Sequence, residues 1–301
     1  MILAAGGREK SSLMPSPCAL LVLLPLSLIG LVQIAQATEA QIDSDRLFSF
    51  NLGSDIGDIG QKEIQVSLTG ALGRGGGLYA ALANELSFQY TPLHNLQVSL
   101  SIEGAAHQVE NVMGIEDRGV VAIGGLSASL GYRLLDRATR GMGVTLYAEP
   151  QWTRVDEESG ARTQGVGAGF TVAIDKEFIP RKVVGVFNLL YQPETARSSD
   201  GTWLSDATAG LSAGVTFKLT DTLFGGLEIQ YLRKYDSLDF QAYSGQAFFV
   251  GPSLSLNITR HSWLTAGWNV QVVGRASGTD GRLDLVDFSR NLIRVGWGLE
   301  F

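Results

Sequence analysis

Apolar and polar residues alternate along most of this chain, from about residue 62 to the C-terminus. The final segment shows the pattern most clearly, because its apolar parity is occupied by Ile293, Val295, Trp297, Leu299 and Phe301. A period of two residues predicts a β-strand with two chemically different faces. No competing period of 3.6 residues runs through this part of the chain, so the pattern indicates an all-β protein.

The same alternation marks twelve segments, at about 62–72, 79–91, 96–108, 120–135, 142–154, 163–177, 182–193, 204–219, 223–234, 244–259, 263–274 and 290–301. The connections between them are short and long in turn. Short turns on one side and long loops on the other are typical of outer-membrane barrels, in which the short turns face the periplasm. Each segment is long enough to cross a bilayer as a tilted strand. The pattern therefore predicts a transmembrane antiparallel up-and-down β-barrel of about twelve strands.

The N-terminus has the features of an export signal. Arg8 and Lys10 precede an apolar stretch at 19–32, and this stretch is followed by the small-residue sequence Ala35-Gln36-Ala37. A positive flank, a short apolar core and such a site predict a signal peptide that is cleaved after Ala37. We therefore divide the chain into a signal peptide (1–37), a polar stretch before the first strand (38–61) and a barrel (62–301). The segment 38–61 is either a periplasmic tail or a plug inside the barrel, and we expect the tail.

Composition excludes several other classes of protein. The chain has 37 glycines among 301 residues and a formal charge of -7, and its mean hydropathy is only +0.12. The low hydropathy excludes a polytopic helical membrane protein, and the negative charge argues against a nucleic-acid partner. Cys18 is the only cysteine. Since it leaves with the signal peptide, the mature chain is expected to have neither a disulfide nor a thiolate metal site.

The chain resembles bacterial outer-membrane β-barrel proteins. Its last strand is similar to their C-terminal assembly signal, which here comprises Trp297, Leu299 and Phe301. The resemblance implies recognition by the barrel-insertion machinery, after export by the machinery that reads the signal peptide. The length and the twelve-strand layout are also similar to porin-like exported proteins associated with phenol-degradation pathways. This second resemblance implies a class of protein and no particular solute.

The polar parity of the strands predicts the lining of the barrel. A shift of register by one residue would aim several glutamates at hydrocarbon, which fixes the face that they occupy. Acidic side chains in a narrow pore favour cations or polar neutral solutes over anions. Alternatively, the same residues form a paired network that fills the lumen, because interior charges must be paired or hydrated. The lumen-lining candidates are Glu85, Glu103, Glu149, Glu228, Arg294, Gln230, Asn188 and Gln271.

Aromatic residues and prolines add two local expectations. Aromatic side chains at strand ends predict interfacial girdles. Pro150 and Pro252 lie inside strands, where each lacks a ladder donor, so we expect bulges or local breaks there. The girdle candidates are Tyr90, Tyr132, Phe217, Trp263 and Phe301 toward the periplasm, with Tyr79, Trp152, Tyr191 and Tyr231 on the outer side.

These features predict a narrow passive channel for small polar or weakly hydrophobic solutes. We expect no enzyme activity, no metal and no cofactor, because His94 and His261 fall in periplasmic turns and His107 points inward. None of the three is placed for a lipid-facing catalytic dyad. The alternative is a structural or adhesive barrel with a filled lumen. The expected partners are outer-membrane lipids, lipopolysaccharide and small solutes, and the sequence leaves open a homo-oligomer.

Overall fold

A computed structural model describes residues 42–198 and 201–301. Within these residues, twelve antiparallel strands form a closed barrel in which each strand pairs with its sequence neighbours. Glu63 lies opposite Glu300 and Leu72 opposite Asn291 where the first strand closes onto the last. The strands are β1 (Lys62–Leu72), β2 (Leu78–Leu93), β3 (Leu96–Glu110), β4 (Arg118–Leu135), β5 (Gly143–Val155), β6 (Arg162–Ile179), β7 (Val183–Arg197), β8 (Trp203–Lys218), β9 (Leu223–Tyr235), β10 (Tyr243–Asn257), β11 (Ser262–Ala276) and β12 (Asn291–Glu300).

The predicted all-β barrel and its twelve strands are confirmed, with differences only at strand ends. The largest difference is in β7, which was predicted to end at residue 193 and ends at Arg197. Its last residues continue the pairing with β8 up to Arg197 opposite Trp203. Hydrophobic alternation fades at this end of the strand because the side chains have left the apolar layer, whereas the backbone hydrogen bonds continue beyond it.

The two faces of the barrel differ as the alternation requires. Leu100 is 67% exposed and Leu254 is 51% exposed, whereas the adjacent Ser101 and Ser255 are 5% and 0% exposed. A continuous band of exposed apolar side chains around a barrel with a polar interior is the arrangement that suits lipid outside and water or polar protein inside. The alternation of apolar and polar residues therefore indicates which face of each strand contacts lipid and which faces the interior.

Helical structure is confined to two short pieces in the described residues. One turn of 3-10 helix spans Ser44–Arg46. Helix α1 (Arg137–Arg140) forms the connection between β4 and β5, begins with the Asp136 carboxylate accepting from Ala138 N, and ends at Gly141 with φ 73°. In the described part of the chain, no helix is long and apolar enough to cross a membrane.

Two of the aromatic residues assigned to the girdles lie inside the barrel. Tyr79 is 4% exposed and Trp263 is 8% exposed. The Trp263 Nε1–H donates to Glu63 Oε1 at 2.6 Å, and the Tyr79 hydroxyl donates to the carbonyl of Glu158 at 2.8 Å. The girdle assignment of these two residues was wrong because it used only their position at strand ends. Their parity within β2 and β11 is that of the inward face.

The prolines produce local breaks rather than bulges. Pro150 is paired with β6, but the pairing of β5 with β4 is interrupted around it. Pro252 is paired with β9, and the pairing of β10 with β11 is interrupted around it. The register is the same before and after each interruption. Each proline therefore keeps one neighbour and loses the other, because it has no N–H to donate.

Candidate functional site: the barrel lumen

The chain preceding β1 enters the barrel. Residues 42–57, here called the N-terminal segment, hydrogen-bond to inward side chains of β3, β5, β6, β7, β9 and β10. Several of these partners, including Gln97, Thr145 and Ser255, lie within three residues of the periplasmic end of their strand. The segment thus occupies the periplasmic half of the lumen. For residues 42–57, the structure has the placement inside the barrel, so the expected periplasmic tail is wrong for these residues. Residues 38–41 and the predicted signal peptide lie outside the described part of the chain.

Glu228 is the main acceptor for the N-terminal segment. Its Oε1 accepts from Ser49 N at 2.8 Å, and its Oε2 accepts from Phe50 N at 2.9 Å and from Asn51 Nδ2 at 2.7 Å. The carboxylate is fully buried, and no Lys or Arg among the described residues lies within 4 Å of it. Hydrogen bonds to an ionised acceptor are about twice as strong as neutral ones. Because three donors of the N-terminal segment contact its buried carboxylate, Glu228, a predicted pore-lining residue, binds this segment and does not face an open pore.

Two further predicted lining residues contact the same segment. Asn188 Oδ1 accepts from Leu52 N at 2.8 Å, and Asn188 Nδ2 donates to Leu52 O at 2.9 Å. Gln230 Nε2 donates to Phe50 O at 3.2 Å. These side chains satisfy the main chain of an irregular segment, which would otherwise leave buried polar groups unpaired.

An ionic cluster anchors both ends of the segment to helix α1. Arg137 is 4% exposed, forms an ion pair with Asp55, and donates to Ile42 O at 2.6 Å. Its Nε lies 3.7 Å from Asp175, whose Oδ2 also accepts from Ser54 N at 2.8 Å. Burial, followed by repulsion from Asp43, raises the pKa of Asp55 to about 6, although the positive charge of Arg137 opposes the shift.

A second ionic contact ties the segment to the seam where the barrel closes. Glu63 and Glu300 face each other across β1 and β12, which is an unfavourable pairing of like charges. Arg46 forms an ion pair with Glu300 and places Nη2 at 3.9 Å from Glu63. The N-terminal segment therefore supplies the cation that two carboxylates of the closing strands require.

The extracellular end of the lumen is covered by loops. The loop 156–161 folds inward, and its Glu158 carboxylate forms ion pairs with Arg74, at 2.8 Å, and with Lys234. The Tyr79 hydroxyl and His107 Nε2 contact the carbonyls of Glu158 and Glu157, at 2.8 and 2.9 Å. Glu158 therefore joins the β1–β2 loop to β9 above the lumen.

The loop 277–290 completes this cover. Gln271, a predicted lining residue, accepts from Asp284 N at 2.7 Å and donates to Asp284 O at 2.8 Å. Arg74 Nε donates to Val286 O at 2.7 Å, which connects this loop to the β1–β2 loop. Burial, together with the neighbouring Asp284 carboxylate, raises the pKa of Asp287 to about 6.

Between the two closures lies a region rich in carboxylates, here called the acidic chamber (Glu85, Glu103, Glu149 and Glu194). Glu85 lies directly opposite Glu103 across β2 and β3. Glu149 accepts from Ser127 at 3.0 Å and Glu194 accepts from Thr153 at 2.8 Å. All four are only half-buried although they face inward. Among the described residues no Lys or Arg lies within 4 Å of any of them. Glu85, Glu149 and Glu194 instead accept hydrogen bonds from side-chain hydroxyls.

Glu157, in the loop 156–161, adds a further carboxylate near the chamber. Desolvation, followed by repulsion from Glu194 and Glu103, raises the pKa of Glu157 to about 7. Carboxylates inside the barrel must be hydrated when they are not paired. Arg294 faces the same interior from β12, opposite Thr69 of β1.

Several residues that organise the lumen were missed by the sequence analysis. Asp175 and Glu194 lie on the inward parity of β6 and β7, so the alternation would have found them with β7 extended to its true end. Arg137 and Glu158 lie in connections, where no period exists. No pattern in the sequence indicates that these two side chains turn into the barrel.

The residues of the predicted assembly signal take part in barrel closure. Trp297 Nε1 donates to Ser262 Oγ at 3.0 Å, and Phe301 N donates to Lys62 O at 2.9 Å. Leu299 and Phe301 are 39% and 61% exposed on the outer face. Their recognition by the insertion machinery stays a prediction. In the part of the chain that the structure describes, no group of three or more His, Cys, Asp or Glu side chains is arranged to bind a metal.

A closed twelve-strand barrel with an apolar outer band and a polar interior defines an outer-membrane β-barrel protein, located in the bacterial outer membrane. The chain belongs to the family of unknown function DUF6662, whose match covers residues 40–301. No curated protein matches the sequence.

Solved structures of other outer-membrane proteins are similar to this chain at low sequence identity. The COG4313 outer membrane channel from Pseudomonas putida F1 is 10% identical with a TM-score of 0.56, covering 82% of this chain and 98% of its own. The NanC porin is 11% identical, with a TM-score of 0.47 and coverages of 79% and 98%. The toluene transporter TodX from Pseudomonas putida is 11% identical, with a TM-score of 0.40 and coverages of 81% and 89%.

Proposed function

We propose that this protein is a gated outer-membrane channel for small polar solutes, with a preference for cations. The observation that carries the proposal is the acidic chamber. Glu85 and Glu103 face each other across adjacent strands without a paired cation. A lumen built only to be filled would pair these charges, whereas a hydrated conduit leaves them available to passing cations.

In the proposed channel, the N-terminal segment is the gate on the periplasmic side. Its polar contacts with the wall are hydrogen bonds and ion pairs, including those to Glu228, Asn188 and Arg137. Its apolar side chains form a smaller buried cluster with the wall, which comprises Ile42, Leu47, Phe48, Val184, Val186 and Phe224. Water can replace polar contacts of this kind when the segment leaves the lumen, at a net cost of about 0.5–1.5 kcal/mol for a neutral hydrogen bond and about 1.5–3 kcal/mol for a bond to a charged group. Diffusion through the barrel requires that displacement, and it involves no chemical step and no cofactor.

A structural barrel without transport is the second candidate. The N-terminal segment at one end and the Glu158 loop at the other favour it, because both closures are built from buried interactions. The two candidates differ in whether the segment can leave the lumen while the barrel remains intact.

A disulfide across the gate tests the proposal. A Cβ built on Gly214 would lie 2.9 Å from two ring atoms of Phe48, so the two side chains occupy the same space. We therefore pair F48C with G214C, a disulfide that requires their Cβ atoms to come within about 4.5 Å of each other. The mature chain is expected to lack other cysteines. We expect the oxidised double variant to give no current in planar bilayers and the reduced one to show openings.

Wild-type protein with and without the reductant is the control, and its current should not change. Equal current from the oxidised and reduced variant would contradict gating by this segment. If neither the reduced variant nor the wild type ever conducts, the channel is rejected in favour of the structural barrel.

A further inference from the structure

The extracellular ends of β5, β6 and β7 carry three arginines on neighbouring strands. Arg162 pairs with Val155, the residue after Arg154, just beyond a register shift in the β5–β6 ladder. Arg197 lies opposite Gln164, two residues from Arg162. All three arginines are exposed. We call this group the arginine patch (Arg154, Arg162 and Arg197).

The patch lies just beyond the apolar band. Arg154 follows Trp152 on the outer face of β5, and its guanidinium carbon is 5.4 Å from the centre of the Trp152 ring. On β6, the exposed Val166 is followed toward the extracellular end by Gln164 and Arg162. Tryptophan marks the interface between hydrocarbon and head groups in barrels of this kind. The arginines are therefore placed at the level of the polar head groups of the outer leaflet.

Within the described residues, the cations of the patch do not pair with a carboxylate. Among the residues that the structure describes, no Asp or Glu lies within 4 Å of a nitrogen atom of these three arginines, and Arg197 Nε donates instead to Gly201 O at 3.3 Å. Like charges on adjacent strands repel each other. A cavity of about 310 Å³ opens between Arg162 and Arg197, and the side chains of Thr163 and Gln164 add polar groups to its wall.

We propose that the arginine patch binds the phosphate groups of lipid A in the lipopolysaccharide of the outer leaflet. Guanidinium groups bind phosphate through paired, charge-assisted hydrogen bonds. Clusters of basic residues next to a membrane surface recognise anionic head groups for the same reason. The loop 156–161, which connects the ends of β5 and β6 above the patch, is acidic because it contains Asp156, Glu157 and Glu158. It would repel a phosphate, which leaves the level of the strand ends as the place where the anion can bind. The proposal is independent of whether the lumen conducts.

The test is a titration of the purified, folded mature chain in non-ionic detergent, followed by native mass spectrometry. The probes are lipid A with both phosphates and the same lipid A with both phosphates removed. The variant is R154Q/R162Q/R197Q, and the matched control is R140Q/K176Q/K182Q, which removes three exposed cations from the periplasmic side of the barrel. We expect the patch variant to bind phosphorylated lipid A at least about tenfold more weakly than wild type, while the control binds it unchanged.

Three results would overturn the proposal: unchanged binding by the patch variant, equal binding of both lipid probes by the wild type, or loss of wild-type binding on addition of EDTA. The last result would mean that divalent cations bridge the acidic loops to the lipid. If the triple variant does not fold, the single variants R154Q and R197Q replace it, and each is expected to weaken binding roughly threefold.

Discussion

Ser49 N donates a 2.8 Å hydrogen bond to Glu228 Oε1, although 179 positions separate the two residues in sequence. The bond joins the chain before the first strand to the middle of β9. Together with the bonds from Phe50 and Asn51, it places a buried carboxylate at the centre of the contact between gate and wall. The stability of the closed lumen should therefore depend strongly on this one side chain.

Replacing Glu228 with Ala should open the gate. The substitution leaves two backbone N–H groups and the Asn51 amide without their acceptor, and each lost bond to a charged group costs about 1.5–3 kcal/mol. We expect the open probability in planar bilayers to rise more than tenfold, and cleavage of residues 42–57 by added protease to accelerate. Glu149→Ala is the control, because Glu149 does not contact the segment. A closed and protease-resistant E228A protein would show that the segment is held elsewhere.

The gate should close more tightly as the pH falls. Asp55 has a pKa of about 6 in the docked segment and an ordinary value of 3.8 when free, so the docked state binds its proton more tightly. Docking is therefore favoured at low pH, where Asp55 is protonated in the docked state. It weakens as the pH rises toward 6, and above about pH 6 it no longer changes with pH. Between pH 7 and pH 5 the open probability should fall roughly tenfold.

The Asp55→Asn variant checks that assignment. It removes the titrating group but keeps an oxygen that can accept from Arg137, so the dependence on pH between 5 and 7 should largely disappear. Recordings of wild type and variant over this range, in the same lipid and salt, give the comparison. If D55N retains the full dependence on pH, another group controls the gate.

Neutralising the acidic chamber should change both selectivity and stability. In E85Q/E103Q/E149Q the reversal potential under a salt gradient should shift toward that of an unselective pore, because the fixed negative charge is gone. Removing the repulsion between Glu85 and Glu103 should also stabilise the barrel by about 0.2–1 kcal/mol. The exposed Glu110→Gln serves as the control. An unchanged reversal potential would exclude the chamber as the selectivity element.

The extracellular cover should loosen when Glu158 loses its charge. Glu158→Gln leaves Arg74 and Lys234 without their shared carboxylate, and uncompensated cations with little exposure destabilise the arrangement that buries them. Hydrogen exchange of residues 156–161 should become at least about tenfold faster, with the strands unaffected. Glu116→Gln breaks the exposed pair with Arg118 and is the matched control. Equal exchange in E158Q and wild type would mean that backbone contacts alone hold the loop.

The sequence by itself determined the strands and their faces. The period of two fixed which side chains meet lipid and which face inward, since the cost of burying Glu85 or Glu228 in hydrocarbon allows only one register. Even the inward position of Tyr79 and Trp263 was contained in their parity. Beyond the ends of the apolar layer, a polar side chain on the outer face has no such cost. The alternation therefore fades there, which explains why the last residues of β7 were missed.

Only the tertiary structure decided what occupies the lumen. Alternation predicts that Glu103 and Glu228 both face the interior. It does not predict how far each side chain lies from the membrane surface, or which residues it contacts inside the barrel. Glu103 faces the chamber, whereas Glu228 binds a segment from the other end of the chain. Residues 42–57 show no regular hydrophobic period, and Arg137 lies in a connection between strands. Their positions depend on hydrogen bonds and ion pairs to several strands, which the closed barrel brings together.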